Sequence, residues 1–332
     1  MVGYEKSTFE LRCHSRLEEV EHEVNEYFLT HWPFPNDSSR ERFLGGRFAR
    51  CTCMYFPDAK DDRIHFACRL LTLLFLIDDI LETMSFEEGA AYNGRLISVI
   101  RGEVTPNRSV AVEVITFDLW ESMRAHDAEL AEGIMKPLFI FMRSQTDKIR
   151  GQSMTLMQYF DYRDKDIGQA LLASLMRFVL EIRLSIDELA AVKPADVNMG
   201  RHILVLNDIW SYEKEAQTAR NTQQEGGILC NSVAILSAEA DLSAASSKRV
   251  LLHMCREWEY RHRHLLDSLL SLHTQDRAVT LTAYFRGLAA QMCGNEHWSK
   301  LTSRYNCDES ELSSDTTLRM QQNGETGCSK KK

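Results

Sequence analysis

Apolar residues recur at helical spacing along most of this chain, and nothing alternates convincingly with the period of two that a half-buried strand needs. "SRLEEVEHEVNEYFLTHW" (15–32), the stretch from Ile64 to Met84, "VEVITFDLWESMRAHD" (112–127), "AEGIMKPLFIFMRSQTDKI" (131–149) and "IGQALLASLMRFVLEIRL" (167–184) read as amphipathic or buried helices. So do "NMGRHILVLNDIWSYEKEAQ" (198–217), "KRVLLHMCREWEYRHRHLLDSLL" (248–270) and "LTAYFRGLAAQMCGNEHWSKL" (281–301). Only 16 glycines and 6 prolines interrupt 332 residues. The ordinary shares are about 7% and 5%, so little material is left for a turn-rich β architecture. "HWPFPNDSS", "RGEVTPNRS" and "QQEGG" read as short connectors. The expectation is an all-α fold with one helical domain over 1–306, followed by a polar, Ser-rich tail over 307–332 that stays disordered.

A net charge of -9 argues against a nucleic-acid partner, whose phosphates such a surface repels. No basic start with an apolar h-region opens the chain, and no stretch reaches the ~18 apolar residues of a membrane span, so a cytoplasmic protein without stable membrane insertion is expected. Nine cysteines without a CxxC pair read as reduced thiols, neither a disulfide framework nor a zinc site. Asp61 and Asp62, in "DDRIHF", are expected to cap a helix start. His262 and His264 fall on opposed helix sides and should not share a metal.

The stretch "FLIDDILETM" (75–84) departs from ordinary core helices, because its apolar approach ends in Asp78, Asp79 and Glu82. With a rotation of about 100° per residue, Leu71 and Leu74 lie within about 40° of Asp78, Phe75 at about 60°, and Glu82 at about 40°. The acids therefore continue the apolar stripe, with Asp79 at its edge. That arrangement suits a cavity with a greasy floor and a cation-holding mouth. Oxygen-only ligands suit Mg²⁺, which commonly combines one or two carboxylates with phosphate oxygens.

A second such face lies in "LNDIWSYEKEA", where Asn207, Ser211 and Glu215 follow one another at i, i+4 and i+8. They drift only about 80° over two turns, and Lys214 stands about 20° from Asn207. An amide, a hydroxyl and a carboxylate beside an ammonium can hold a hard cation together with an anion bound to it. Two acidic mouths sharing such cations call for a multivalent anion, and a diphosphate meets that requirement.

At these two stretches the sequence resembles the fungal class I sesquiterpene cyclases of the aristolochene synthase type. Asp78, Asp79 and Glu82 match the family's aspartate-rich motif, and "NDIWSYEKE" matches its (N/D)DxxSxxxE motif. "YFPDAKDDRIHFACRLLTLLFLIDD", "DLWESMRAHD", "FMRSQTD", "EGGILC" and "GNEHWSKLTSRYN" extend the likeness over roughly Ser7 to Asn306.

The resemblance implies the helical class I terpenoid fold around a central cavity. It also implies a secondary-metabolism lyase in which three Mg²⁺ ions and basic side chains draw diphosphate from farnesyl diphosphate. On the matching positions, Asp78 and the trio Asn207, Ser211 and Glu215 would hold metal. Arg163, Lys214, Arg304 and Tyr305 would contact diphosphate, and Tyr55, Phe75, Phe141 and Trp298 would line the carbocation pocket. A bicyclic product is implied, aristolochene first, with a daucane or germacrane skeleton as the alternative. Trp210 stands where relatives commonly carry Tyr, and Val179 and Glu181 stand where they carry smaller residues in a helix near the pocket. A prenyltransferase would carry a second aspartate-rich motif in place of Asn207 and Ser211, and a protonation-triggered cyclase a DxDD motif, which the chain lacks. A non-catalytic helical protein would not require both metal stripes. A homo-oligomer is compatible with all of these readings.

Overall fold

The computed structural model describes residues 6–166, 168–221, 224–271 and 274–305. The expected tail, 307–332, lies outside them. Among the described residues there is no strand, and the chain forms α1 (Leu17–His31), α2 (Asp37–Gly46), α3 (Phe48–Tyr55), α4 (Ile64–Leu81), α5 (Phe86–Ile100), α6 (Ala111–His126) and α7 (Ala128–Ser144). A 3₁₀ turn over Lys148–Gly151 leads to α8 (Leu156–Asp166), α9 (Gln169–Leu180), α10 (Ile186–Asn221), α11 (Ser232–Ala240), α12 (Ala244–Leu270) and α13 (Gln275–Leu301). None of these helices is long and apolar enough to cross a membrane.

Local chemistry explains where the helices begin. Asn36 and Ser39 form a capping box for α2, as do Ser85 and Glu88 for α5. Ser185 and Glu188 exchange the same pair of bonds at the start of α10, at 2.8 and 3.2 Å. Asp127 caps α7 through Leu130 N–H, and Asn231 caps α11 through Val233 N–H. α9 ends in left-handed Glu181, at φ 57°.

Asp61 and Asp62 do not cap α4 as expected. Its N-cap is Arg63, without a side-chain cap bond. The turn before the helix carries the two acids outward, to within 3.5 Å of His14 Nε2 and 3.3 Å of His126 Nε2. His262 and His264 do diverge: His262 is buried against the Phe285 carbonyl, 3.0 Å away, while His264 is exposed. The seven described cysteines are all free.

Two apolar clusters organise the bundle. The larger spans α1, α3, α4, α6, α7, α9 and α13; the smaller joins α8, the second half of α10, α11 and α12. α10 packs against both α12 and α13, and α13 against α3, so the two helices carrying "LNDIWSYEKEA" and "GNEHWSKL" run side by side. α4 is the most apolar long element, with both its faces covered except at its C-terminal acids.

Candidate active site

Between α3, α4, α7, α9, α10 and α13 lies a cavity of about 220 Å³. Its floor is apolar, with Leu71, Leu74, Leu171, Leu172 and Ile203, and its mouth carries charged and polar side chains from α4, α8 and α10. Every residue given a metal, diphosphate or pocket-wall role by the two motifs and the resemblance lines it: Tyr55, Phe75, Asp78, Phe141, Arg163, Asn207, Ser211, Lys214, Glu215, Trp298, Arg304 and Tyr305. Glu82 lines it as well, whereas Asp79 is exposed at the rim, as its rotation predicted.

The first acidic arm is the last turn of α4. Asp78, Asp79 and Glu82 each offer a carboxylate oxygen, and these oxygens lie within 4.8 Å of one another. Cations of the chain meet them. Arg304 donates to Asp78 at 2.9 Å and to Asp79, and Lys214 donates to Glu82 at 3.0 Å. Gln145 adds a long 3.4 Å contact to Asp78. Burial pushes the Glu82 carboxyl above its usual range, against the pull of Lys214. Burial alone would lower the Arg304 guanidinium, but Asp79 and Asp78 outweigh it and hold the group charged.

The second arm runs along α10. Asn207 donates to the Tyr305 hydroxyl at 2.7 Å, and Ser211 donates to Glu215 at 2.6 Å. The other Glu215 oxygen accepts from Asn231 at 3.1 Å. Between the ligand-type side chains, on the inner face of the helix, sits buried Asp208, which accepts from Tyr159 at 2.6 Å and from Ser232 N–H at 2.8 Å, with Arg163 at 3.8 Å. Burial pushes its carboxyl up to about 6, with Arg163 opposing. Carboxylates, an amide and a hydroxyl on two converging helices form an all-oxygen donor set, which fits a hard divalent cation of the Mg²⁺ class better than a soft one.

The wall below is aromatic. Phe75 stacks on Phe48 with centroids 4.5 Å apart and meets Trp298 at 5.3 Å; Trp298 in turn meets Tyr305 edge-on at 5.5 Å. The Trp298 indole N–H is satisfied by the Gly46 carbonyl at 2.9 Å, and the Tyr55 hydroxyl by Asn295 at 2.8 Å, so neither ring brings an idle polar group to the wall. The Phe75 face already accommodates a cation, with Arg304 Cζ 5.7 Å from the ring centroid.

Three positions noted in the sequence lie outside the cavity, although α9 itself lines it through Leu171 and Leu172. Val179 is buried but does not line the cavity, and Glu181 ends α9 pointing to Arg63, 3.3 Å away. Trp210 lies outside the cavity too, packed between the two apolar clusters. Conversely, Arg150, Gln145, Asn295, Cys230 and the Gly226–Ile228 backbone line the cavity without having been singled out. They sit alone in turns or on other helices, where spacing carries no signal. "FMRSQTD", "EGGILC" and "GNEHWSKLTSRYN" contain all of these residues except Arg150.

A family profile described as "Terpene synthase family 2, C-terminal metal binding" matches residues 69–261, the span that holds both acidic arms. The chain is 55% identical to the aristolochene synthase of Aspergillus terreus over 299 residues, covering 90% of this chain and 93% of that one. It is 54% identical to the (+)-aristolochene synthase of Penicillium expansum over 294 residues, 89% of this chain and 88% of that one. The crystal structure of aristolochene synthase from Penicillium roqueforti superposes with a TM-score of 0.79 at 47% identity, covering 90% of this chain and all of that one.

Proposed function

The chain belongs to terpene synthase family 2, and from that premise we propose that it ionises farnesyl diphosphate and cyclises the farnesyl cation to aristolochene. The proposal takes residues 1–306 as one catalytic domain acting in the cytoplasm. It rests above all on one observation: two oxygen-rich helix faces meet at the mouth of a cavity whose floor is apolar and whose wall is aromatic.

Asp78 on one arm and Asn207, Ser211 and Glu215 on the other would hold the metal, with three Mg²⁺ ions as the proposed complement. Bound Mg²⁺ supplies positive charge against which diphosphate can depart. Arg163, Lys214, Arg304 and the Tyr305 hydroxyl bind and orient the diphosphate at the same mouth. Ionisation breaks the allylic C–O bond, the electron pair leaves with the diphosphate oxygen, and the cation stays against the apolar floor. Phe75, Phe141, Trp298 and Tyr55 exclude water there, and their faces stabilise a passing cation by about 0.5 to 2 kcal/mol each without attacking it. Ring closure and loss of one proton complete the hydrocarbon.

The direct test incubates purified protein with farnesyl diphosphate and Mg²⁺ and identifies the hydrocarbon by gas chromatography and mass spectrometry. Aristolochene, abolished by EDTA, is the expected result; a daucane or germacrane hydrocarbon would overturn the product assignment, and a longer prenyl diphosphate the reaction class. A second prediction separates the two halves of the site. Phe75→Ala should keep Mg²⁺ dependence and diphosphate release while shifting hydrocarbons toward earlier, less cyclised products. Truncating this Phe also costs about 3 to 5 kcal/mol of packing, but unfolding lowers all products equally and leaves their ratio unchanged. An unchanged ratio would assign Phe75 to packing alone.

A further inference from the structure

The two acidic arms are joined by a stretch of chain to which neither motif belongs. After α10 the backbone returns through a 3₁₀ turn over Glu225–Gly227 and reaches Asn231, the N-cap of α11. At its near end this stretch grips the turn that leads from α4 into α5. Gly226 N–H donates to the Met84 carbonyl at 3.1 Å, and the Glu225 carboxylate accepts from Phe86 N–H at 2.9 Å. The approach is backbone to backbone: a Cβ on Gly226 would lie 2.1 Å from the Leu81 carbonyl oxygen and 2.9 Å from that of Met84. Only glycine fits so close to a neighbouring helix end.

At its far end the stretch grips α10. The fully buried Asn231 amide donates to the Asp208 carbonyl and to the Glu215 carboxylate, both at 3.1 Å, while its oxygen accepts from Val233 N–H at 2.9 Å. All three bonds lock one rotamer. Glu215 is thereby held between Ser211 on one oxygen and Asn231 on the other. Gly226, Gly227, Ile228 and Cys230 meanwhile line the cavity between the arms.

We propose that Glu225–Asn231 is a brace that sets the spacing of the two acidic arms, with Asn231 the positioning residue that aims Glu215 at the metal. The inference rests on the reading of Glu215 as a metal ligand. Its physical basis is that a ligand carboxylate with one oxygen fixed by a neighbouring amide loses less rotamer freedom on binding an ion. Outer partners of this kind typically affect metal affinity by about 10 to 100-fold.

Asn231→Ser isolates that contribution, because serine keeps the N-cap acceptor for α11 but cannot deliver the amide N–H to Glu215. The readout is the melting temperature of the full chain at fixed inorganic pyrophosphate as MgCl₂ is raised. Wild type should be stabilised, and Asn231→Ser should need about tenfold more Mg²⁺ for half of that stabilisation, with a similar melting temperature in EDTA. Glu225→Ala, at an exposed position at the other end of the brace, should raise the Mg²⁺ requirement in the same direction and keeps the test open should Asn231→Ser misfold. Mg²⁺ curves of both variants that coincide with wild type would overturn the brace, whatever their basal melting temperatures. A wild type that does not respond to Mg²⁺ and pyrophosphate would overturn the metal-site reading itself, and the brace with it.

Discussion

Asp78→Asn should lower kcat/KM for farnesyl diphosphate by about 10²-fold or more while leaving the helical spectrum and melting temperature nearly intact. The substitution keeps shape and removes one negative charge from the arm proposed to hold the Mg²⁺ that neutralises diphosphate. Stability should hardly respond, because the Asp78 side chain is 46% exposed and its pair with Arg304 is of the partly solvated kind worth at most about 1 kcal/mol. Arg304 retains Asp79 as its partner. The loss should fall on kcat and kcat/KM together, since the charge is needed as the C–O bond ionises and less when neutralised substrate rests in the site. Asn207→Ala should act in the same direction from the other arm, slowing all products in proportion. Near-normal turnover of Asp78→Asn at saturating Mg²⁺ would remove Asp78 from the metal site.

How much of this was legible in the sequence depended on whether function and helical period coincide. Asp78 and Glu82, like Asn207, Ser211 and Glu215, repeat at three to four residues on otherwise apolar stripes, so their convergence on one cavity follows from helix geometry plus the burial of those stripes. Arg163, Arg304, Tyr305 and Trp298 have no such neighbours. They were reached through resemblance alone, and the cavity brings them together. Asn231 and Gly226 follow α10 with no period to mark them; Gly226 is made specific by a backbone approach to Leu81 and Met84 more than a hundred residues away, and Asn231 by its bonds back to Asp208 and Glu215 of α10. Among the helices, α3 escaped notice because seven of its eight residues are buried, leaving no polar face to create a period. α2 escaped for the opposite reason, with only Phe43 and Gly46 buried. The acids of "DDRIHF" show the limit of cap statistics, since a turn decides where a side chain points before helix electrostatics can act.

The largest effect on stability is expected from a residue outside the cavity. Arg256, on α12, is 2% exposed and lies between Glu259, at 2.5 Å, and Glu296 of α13, which it holds through both terminal nitrogens at 2.9 and 2.7 Å. Glu259 also accepts from Thr8 N–H and hydroxyl at 2.6 Å and faces His202 of α10 at 3.4 Å, while Glu296 accepts from Lys300 at 2.7 Å. His202, Glu259 and Glu296 group closely enough to resemble a metal site, but the guanidinium at their centre makes the cluster an ion-pair network. It fastens three helices and the N-terminal segment directly behind Ile203 and Asn295, which line the cavity. Arg256→Met should therefore cost about 3 to 5 kcal/mol at pH 7, because it removes the cation that two buried carboxylates share and leaves Glu296 only Lys300 and Glu259 only Thr8 and His202. The sign of its pH dependence tests that account. In wild type, burial raises the Glu259 carboxyl, but His202 and the Thr8 bonds overcome this and hold it down to about 2, so the stability it contributes is present at neutral pH and lost only as pH falls through that value. Burial raises the Glu296 carboxyl, and the Arg256 bond is the main influence holding it below its usual range, so in Arg256→Met Glu296 should take up a proton at higher pH, and the gap in stability between variant and wild type should narrow from pH 7 to pH 5. Chemical denaturation at the two pH values measures it. A gap that stays constant would mean that the loss of arginine packing, and not uncompensated charge, accounts for the destabilisation.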